Sequence, residues 1–164
     1  MHTRTRVLAP AVFAFCCALG LGLSASAQAE PLYKVGATAT GIPFTFLDVK
    51  SQSIEGMMID AARAVGKAGG FAVDIQQTTF AALIPSLTSN KIDIISAAML
   101  RTPVREKVVQ YSDPVFSYGE GLIVKADDAS DYRRMEDLAG ETVGAQVGTV
   151  FIDELNKRGI FKEV

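Results

Sequence analysis

The sequence predicts an α/β protein built on a mostly parallel β-sheet whose two faces are covered by helices. Two observations predict this fold class. Short apolar segments alternate with helical segments along most of the chain, an order that favours strand–helix–strand units. In residues 56–68 apolar side chains recur at helical spacing, and Gly69 and Gly70 follow as a helix stop.

The N-terminal elements follow from the same patterns. Strands are predicted at residues 32–37, 44–47, 71–75 and 92–95. Helices are predicted at residues 56–68, 80–87 and 102–109. Thr102 and Pro103 have the order of an N-cap followed by a first helical residue. Pro85 either kinks its helix or lies in the first turn of a helix that begins later.

The C-terminal part of the sequence predicts a second, smaller set of elements. Strands are predicted at residues 121–125, 142–146 and 161–164, with a helical turn at 135–138 and an amphipathic helix at 150–158. A unit of about 46 residues, 119–164, is too small to bury a two-sided core by itself. It therefore either packs on the preceding elements or is the opening half of a second lobe.

The N-terminus has the three-part pattern of a secretory signal peptide. Arg4 and Arg6 precede an apolar run at 7–23, and the small residues Ala27 and Ala29 then form an Ala-x-Ala cleavage site. We expect cleavage after Ala29. An uncleaved membrane anchor remains the alternative, because the apolar run is slightly long for a signal core.

Composition excludes several functional classes. Removal of 29 of the 164 residues leaves 135, enough for one modest domain or one domain and part of another, and changes the net charge from −2 to −4. The only histidine, His2, and both cysteines, Cys16 and Cys17, are removed with the leader. No Ser-His-Asp site, Cys-His site, soft-ligand zinc site or disulfide is then available. Net negative charge without a basic run argues against nucleic acid, and no glycine pattern indicates a nucleotide cofactor.

Several short motifs occur in a characteristic order, at residues 43–46, 55–60, 80–87, 90–95, 102–105, 108–114, 138–140 and 143–149. In this order and spacing the sequence resembles the periplasmic solute-binding proteins of ABC importers that bind polar amino acids, bacterial extracellular solute-binding protein family 3. The strongest match is Thr102-Pro103-Val104-Arg105, followed by 108–114.

The resemblance implies a type II periplasmic-binding-protein-like fold of two α/β lobes that close on ligand in the cleft between them. It divides the chain into a signal peptide (1–29), lobe 1 (30–118), and a hinge with the N-terminal part of lobe 2 (119–164). Members of the family are considerably longer. The resemblance therefore implies a complete first lobe and a chain that is truncated at its C-terminus.

The resemblance also implies a ligand-binding site. Arg105 occupies the position that binds the α-carboxylate, which suits the planar fork of a guanidinium; the alternative is a surface arginine paired with Glu106 or Asp113. Phe80 occupies a stacking position, or is a core aromatic. We expect Thr102 to act mainly as a helix cap. The last candidates are the residues at the start of the C-terminal helix, where backbone N–H groups hold a carboxylate or the residues are only an N-cap: Gly148, Thr149 and Val150.

Four positions depart from the family pattern. Relatives for basic or polar amino acids often carry an acid where this chain has Thr38 and an aromatic residue where it has Gly41. Leu100 replaces a frequent hydroxyl residue, and Ala98 replaces a glycine or serine. These departures argue against a cationic ligand and leave a carboxylate that is not an α-amino acid open.

The resulting functional expectation is a monomeric, periplasmic binding protein without enzymatic activity or cofactor. It captures an amino acid, polar or neutral, through the α-carboxylate and delivers it to an ABC permease in the inner membrane. The alternatives are a ligand-sensing module and a dehydratase on the same scaffold. Acidic residues are available for acid–base chemistry, but none lies in a motif that indicates it: Glu55, Asp60, Asp113 and Glu120.

Overall fold

A computed structural model describes residues 29–164, so the predicted leader lies outside the described residues except for Ala29. Within this range six strands form: β1 (Leu32–Ala37), β2 (Thr40–Gly41), β3 (Thr45–Asp48), β4 (Ser53–Glu55), β5 (Ala72–Gln77) and β6 (Ile94–Ile95). The α-helices are α1 (Met57–Gly69), α2 (Leu83–Thr88) and α3 (Val150–Arg158). Short 3-10 turns lie at Phe80–Ala82, Arg105–Lys107 and Met135–Leu138. None of these described helices has the length and apolar character needed to cross a membrane.

The main sheet has the order β5-β1-β6 and is parallel throughout. β1 pairs with β5 along its whole length, from Leu32 opposite Ala72 to Ala37 opposite Gln77. The parallel sheet predicted from the sequence is therefore present. A second, antiparallel meander of β2, β3 and β4 lies beside it, and the sequence analysis did not separate this meander from the main sheet.

Helices cover both faces of the parallel sheet because neighbouring residues of β1 point to opposite sides. Ala37 packs in one buried cluster with Ile59 of α1 and Ile54 of β4. Gly36, its neighbour, lies against Leu83 of α2, and Leu83 belongs to a second buried cluster with Ile92 and Ala97. Glycine at position 36 lets α2 approach the strand closely, since a Cβ there would lie 3.1 Å from Leu83 Cδ2.

The helix boundaries follow local rules in two of the three helices. α1 ends at Gly69, and Gly70 adopts a left-handed φ of 70° while its N–H donates to the carbonyl of Gly66, as predicted for the helix stop. α3 covers the predicted residues 150–158. The predicted helix 80–87 forms as a 3-10 turn followed by α2, with Pro85 in the first turn of α2.

The helix predicted at 102–109 is wrong: only the 3-10 turn Arg105–Lys107 forms there. Thr102 does cap this turn, because its Oγ1 accepts the N–H of Arg105 at 3.3 Å and its carbonyl accepts the N–H of Glu106 at 3.0 Å. The chain leaves the helical path at Val108, whose φ is −124°. Two consecutive β-branched residues, Val108 and Val109, favour this early end.

The strands predicted at 121–125, 142–146 and 161–164 are also wrong. One parallel bridge, Thr142 to Glu163, is the only β-pairing among residues 119–164. A strand needs a neighbour that takes up its backbone hydrogen bonds. No described strand lies beside 121–125, and Ile123 is 95% exposed. The residues of these segments favour a strand, but no neighbouring described strand is available for them to pair with.

We expect the α1 face of the sheet to be a major source of stability. Ile59→Ala should lower the free energy of unfolding by about 2–5 kcal/mol, because Ile59 is fully buried and its loss leaves a cavity. Val65→Ala in the same helix is the matched control, since Val65 is 61% exposed, and should change it by less than about 0.5 kcal/mol. Urea unfolding followed by far-UV circular dichroism measures both; equal losses would contradict this assignment of the core.

Candidate ligand-binding site

A cleft of about 220 Å³ opens where the three parallel strands end. Thr38 follows β1, Phe80 lies three residues beyond β5, and Ala98 lies three residues beyond β6; all three residues line the cleft. The carboxyl ends of parallel strands meet at one edge of a sheet, which is where open α/β sheets bind their ligands. α3 closes the cleft from the C-terminal segment, residues 119–164, through Thr149, Val150 and Phe151.

The structure brings the sequence-derived candidates together. Eight of the ten line the cleft: Thr38, Gly41, Phe80, Ala98, Leu100, Arg105, Thr149 and Val150. The remaining two, Thr102 and Gly148, each accept a hydrogen bond from Arg105. Residues that lie 110 positions apart in the sequence thus surround one space.

The guanidinium of Arg105 is fixed by two backbone carbonyls. Its Nη1 donates to the carbonyl of Leu100 at 2.7 Å, and its Nη2 donates to the carbonyl of Gly148 at 2.9 Å. Its Cζ lies 5.7 Å from the ring centre of Phe80, within the range of a cation–π contact. Phe80 also packs on the buried cluster of Leu83, so the ring serves both the core and the cleft.

The charge of Arg105 has no carboxylate partner among the described residues. Glu106, the neighbour that a surface arginine would use, pairs instead with Arg101. Asp113, the other acidic residue that the sequence offers, makes no ion pair with Arg105 in the described part of the chain. A guanidinium has five N–H donors, and two carbonyl contacts leave some of them for an anion in the cleft.

Leu100 contributes its carbonyl to the site. That oxygen accepts from Arg105 and also from the phenol of Tyr111 at 3.2 Å. Burial raises the pKa of Tyr111 above its ordinary value, while the positive charge of Arg105 opposes the rise. Tyr111 therefore stays a neutral hydrogen-bond donor at physiological pH and helps to hold the 100–105 segment in place.

The other side of the cleft is neutral and polar. Thr38 and Thr45, 3% and 1% exposed, share a hydrogen bond between their hydroxyl oxygens at 2.9 Å. Gly41 lies against this pair, since a Cβ at position 41 would be 3.3 Å from Thr45 Oγ1. Among the described residues that line the cleft, none is acidic.

The N-cap residue of α3, Thr149, does not cap the helix with its side chain. The hydroxyl of Thr149 donates to the carbonyl of Gln146 at 2.7 Å and makes no capping hydrogen bond with the helix. The backbone N–H of Thr149 donates to the same carbonyl at 3.1 Å. The side chain of Thr149 therefore satisfies none of the free N–H groups in the first turn of α3.

Several cleft residues escaped the sequence analysis. Tyr118 is the last residue of the predicted lobe 1; its phenol donates to the carbonyl of Ala98 at 3.1 Å, and its ring lies 5.0 Å from that of Phe44. Gln146 lies in a matched motif, but nothing in the motif indicates that its side chain reaches Thr40, with Nε2 to Oγ1 at 2.7 Å. The remaining ones are small or apolar wall residues: Ile42, Phe44, Ala97 and Phe151.

The sequence profile of the bacterial extracellular solute-binding proteins, family 3, matches residues 33–158. The chain belongs to this family. The expected family and its α/β, two-lobed fold class are thereby confirmed, and solved structures agree. The boundaries predicted for the lobes at residues 118 and 119 remain a prediction.

Individual members show what this chain is similar to. The arginine-binding extracellular protein ArtP of Bacillus subtilis (strain 168) is 31% identical over 116 residues, which cover 71% of this chain and 44% of ArtP. The P235GK mutant of ArgBP from T. maritima is 38% identical, with a TM-score of 0.74 over 81% of this chain and 58% of ArgBP. An ancestral arginine-binding protein bound to glutamine is 35% identical, with a TM-score of 0.75 over 82% of this chain and 60% of that protein. The chain thus spans about half the length of these relatives.

Ala98 lies in the cleft with a backbone conformation that favours glycine, at φ 48°. The left-handed region costs a non-glycine residue about 1–2 kcal/mol, and a new glycine costs about 0.5–1 kcal/mol in chain entropy. We therefore expect Ala98→Gly to leave the free energy of unfolding unchanged or to raise it by up to about 1 kcal/mol.

Ala97→Gly is the matched control for this prediction. Ala97 is 7% exposed, belongs to the Leu83 cluster and has no left-handed φ. Its replacement should lower stability by about 1 kcal/mol, because a buried methyl group is lost as well as chain entropy. Thermal melting of the two variants side by side compares their stabilities. A lower midpoint for Ala98→Gly than for Ala97→Gly would contradict the backbone strain at Ala98.

Proposed function

We propose that this chain belongs to an extracytoplasmic solute receptor of an ABC importer, which captures an amino acid by its α-carboxylate. The observation that carries the proposal is the guanidinium of Arg105, held inside the cleft without a carboxylate partner among the described residues. A cation that is positioned but not neutralised by the described residues is suited to bind an anion. The family membership and the amino-acid-binding relatives support the same role.

The carboxylate contact depends on geometry as well as charge. The carbonyls of Leu100 and Gly148 fix the plane of the Arg105 guanidinium, so little side-chain entropy remains to be lost when ligand binds. Arginine then offers two parallel N–H donors to a carboxylate, a stronger arrangement than a lysine ammonium provides. The backbone N–H of Val150, the first residue of α3, supplies a further donor to the same carboxylate.

The remainder of the ligand meets a neutral environment. Phe80 provides an apolar face, and the Thr38 hydroxyl, which is paired to that of Thr45 behind it, provides a neutral polar group. A cationic side chain would be buried here beside Arg105 without an acidic partner from the described lining, which is unfavourable. We therefore propose a polar or neutral amino acid as the ligand. That the ancestral relative was solved with glutamine is in keeping with this proposal.

The cellular setting of the proposal follows from the predicted leader. Cleavage after Ala29 delivers residues 30–164 to the periplasm, where lobe 1 (30–118) and the hinge with the start of lobe 2 (119–164) are part of the receptor. Closure around ligand is the state that a permease in the inner membrane recognises, since ligand biases the lobes only by binding one state better. The receptor acts as a monomer, needs no cofactor and performs no catalysis.

Calorimetric titration of the purified chain with a panel of amino acids tests the proposal. We expect a neutral polar amino acid such as glutamine to bind more tightly than arginine, because the described lining has no acidic group for a cation. At a ligand concentration of a hundred times the dissociation constant, the folded state should gain about 2.7 kcal/mol. An absence of heat with every member of the panel would refute the proposed ligand class.

Arg105 variants test the carboxylate contact itself. Arg105→Ala should weaken binding about 10- to 100-fold, the loss expected when a hydrogen bond to a charged group is removed. Arg105→Lys should recover part of the affinity, because it keeps the charge and loses the fork. Arg63→Ala in α1 is the control, since Arg63 is exposed, pairs with Glu55 and lies outside the cleft. An unchanged dissociation constant for Arg105→Ala would place the ligand elsewhere.

A further inference from the structure

The loop of residues 146–149 contacts the N-terminal elements directly. The side chain of Gln146 donates from Nε2 to Thr40 Oγ1 at 2.7 Å, across 106 positions of sequence. The carbonyl of Gly148 accepts from Arg105 Nη2 at 2.9 Å. Gly148 also lies against Ala81 in the turn before α2. These three contacts join the start of α3 to three different N-terminal segments.

Gly148 allows the loop to approach this closely. A Cβ at position 148 would lie 2.7 Å from Ala81 Cα, closer than real Cβ contacts occur, and 3.1 Å from Ala81 N, closer than most of them. These atoms are backbone, which cannot turn away as the end of a side chain can. The φ of Gly148 is 84°, in the region that favours glycine. A side chain at this position therefore forces the loop away from Ala81.

The segment between Val109 and Lys125 links the N-terminal elements to the C-terminal ones, and its backbone hydrogen bonds do not hold the 146–149 loop in place. Between Val109 and Lys125 no described backbone group takes part in a backbone–backbone hydrogen bond, apart from these two end residues. Gly119 and Gly121 in this segment have open space where a Cβ would be. Tyr118 is tied to Ala98 by its phenol, but the residues after it are exposed. The linking segment is held by the rings of Phe116 and Tyr118, which pack on Phe44, and the start of α3 is held by the contacts of the 146–149 loop.

We propose that Gly148 and the Gln146–Thr40 pair are positioning residues that hold α3 against the cleft before ligand arrives. Neither Thr40 nor Gly148 lines the cleft, so both act through the placement of Arg105 and α3. A site assembled in advance binds more tightly, because the apparent dissociation constant is the intrinsic one divided by the fraction of molecules that are competent to bind. This consequence for affinity rests on the proposed function; the contact itself does not.

A distance measurement without ligand tests the contact. Spin labels on Lys67→Cys in α1 and Lys157→Cys in α3, both exposed, are attached to a chain whose Cys16 and Cys17 are replaced by serine. We expect one narrow distance distribution, which Gly148→Ala broadens and shifts to longer values. Gly140→Ala is the matched control, since Gly140 has a φ of 83° and nothing within 4 Å of its Cβ position. Identical distributions for the two glycine variants would overturn the proposal.

A second pair of variants tests the effect on affinity and does not depend on a glycine substitution. Thr40→Val removes the acceptor for Gln146 and keeps the shape, and should weaken binding of glutamine about threefold, the cost of one exposed hydrogen bond. Thr142→Val, at an exposed threonine for which the structure shows no side-chain hydrogen bond, should leave the dissociation constant unchanged. Melting midpoints should be equal for the two, which separates positioning from stability.

The two experiments also separate this inference from the proposed function. Equal affinities for Thr40→Val and Thr142→Val would overturn the role of the Gln146–Thr40 pair. If no amino acid binds the parent chain, the proposed function fails, and the ligand-free distance distributions alone decide whether the loop holds α3 in place.

Discussion

The guanidinium of Arg105 joins three parts of the chain that are far apart in sequence. It donates to Leu100 in the segment after β6 and to Gly148 before α3, and it lies over Phe80 at the start of the turn after β5. Each of these contacts uses backbone carbonyls or an aromatic face, and none supplies a negative charge. The protein thus holds a cation in a defined orientation and leaves its neutralisation to a partner outside the described residues.

The parallel sheet makes this arrangement possible. Small residues at the end of β1 let helices pack on both faces, with Gly36 against Leu83 of α2 and Ala37 in the cluster of Ile59 of α1. The next residue, Thr38, then reaches the cleft with its hydroxyl paired to that of Thr45. Core packing and site chemistry are therefore set by consecutive residues, the last two of β1 and the first after it, which is why the position of the cleft is fixed by the core.

Sequence patterns predicted the parts of the molecule in which local rules decide the structure. The boundaries of α1 and α3 follow from apolar spacing and from glycines at the helix ends. The ten site candidates came from the family resemblance, and their role in ligand binding remains a prediction. The patterns failed where contacts between residues far apart in the sequence decide the structure. Residues 121–125 have the composition of a strand but no described partner, and Gln146 meets Thr40 only because the fold brings 106 positions together. The left-handed φ of Ala98 likewise gives no signal in the sequence, since alanine rarely adopts it.

The strengths of the contacts around the cleft decide how such a site can both open and close. The Gln146–Thr40 hydrogen bond is exposed, and a bond of that kind contributes about 0.5–1.5 kcal/mol, which changes a population by about 2- to 13-fold. A contact of this size biases the position of α3 without locking it, so the cleft stays accessible. A carboxylate on Arg105, at about 1.5–3 kcal/mol for each hydrogen bond to a charged group, outweighs it. In the proposed site the Gly148 carbonyl and the ligand carboxylate would share the same guanidinium, which would couple ligand binding to the placement of α3 through one side chain.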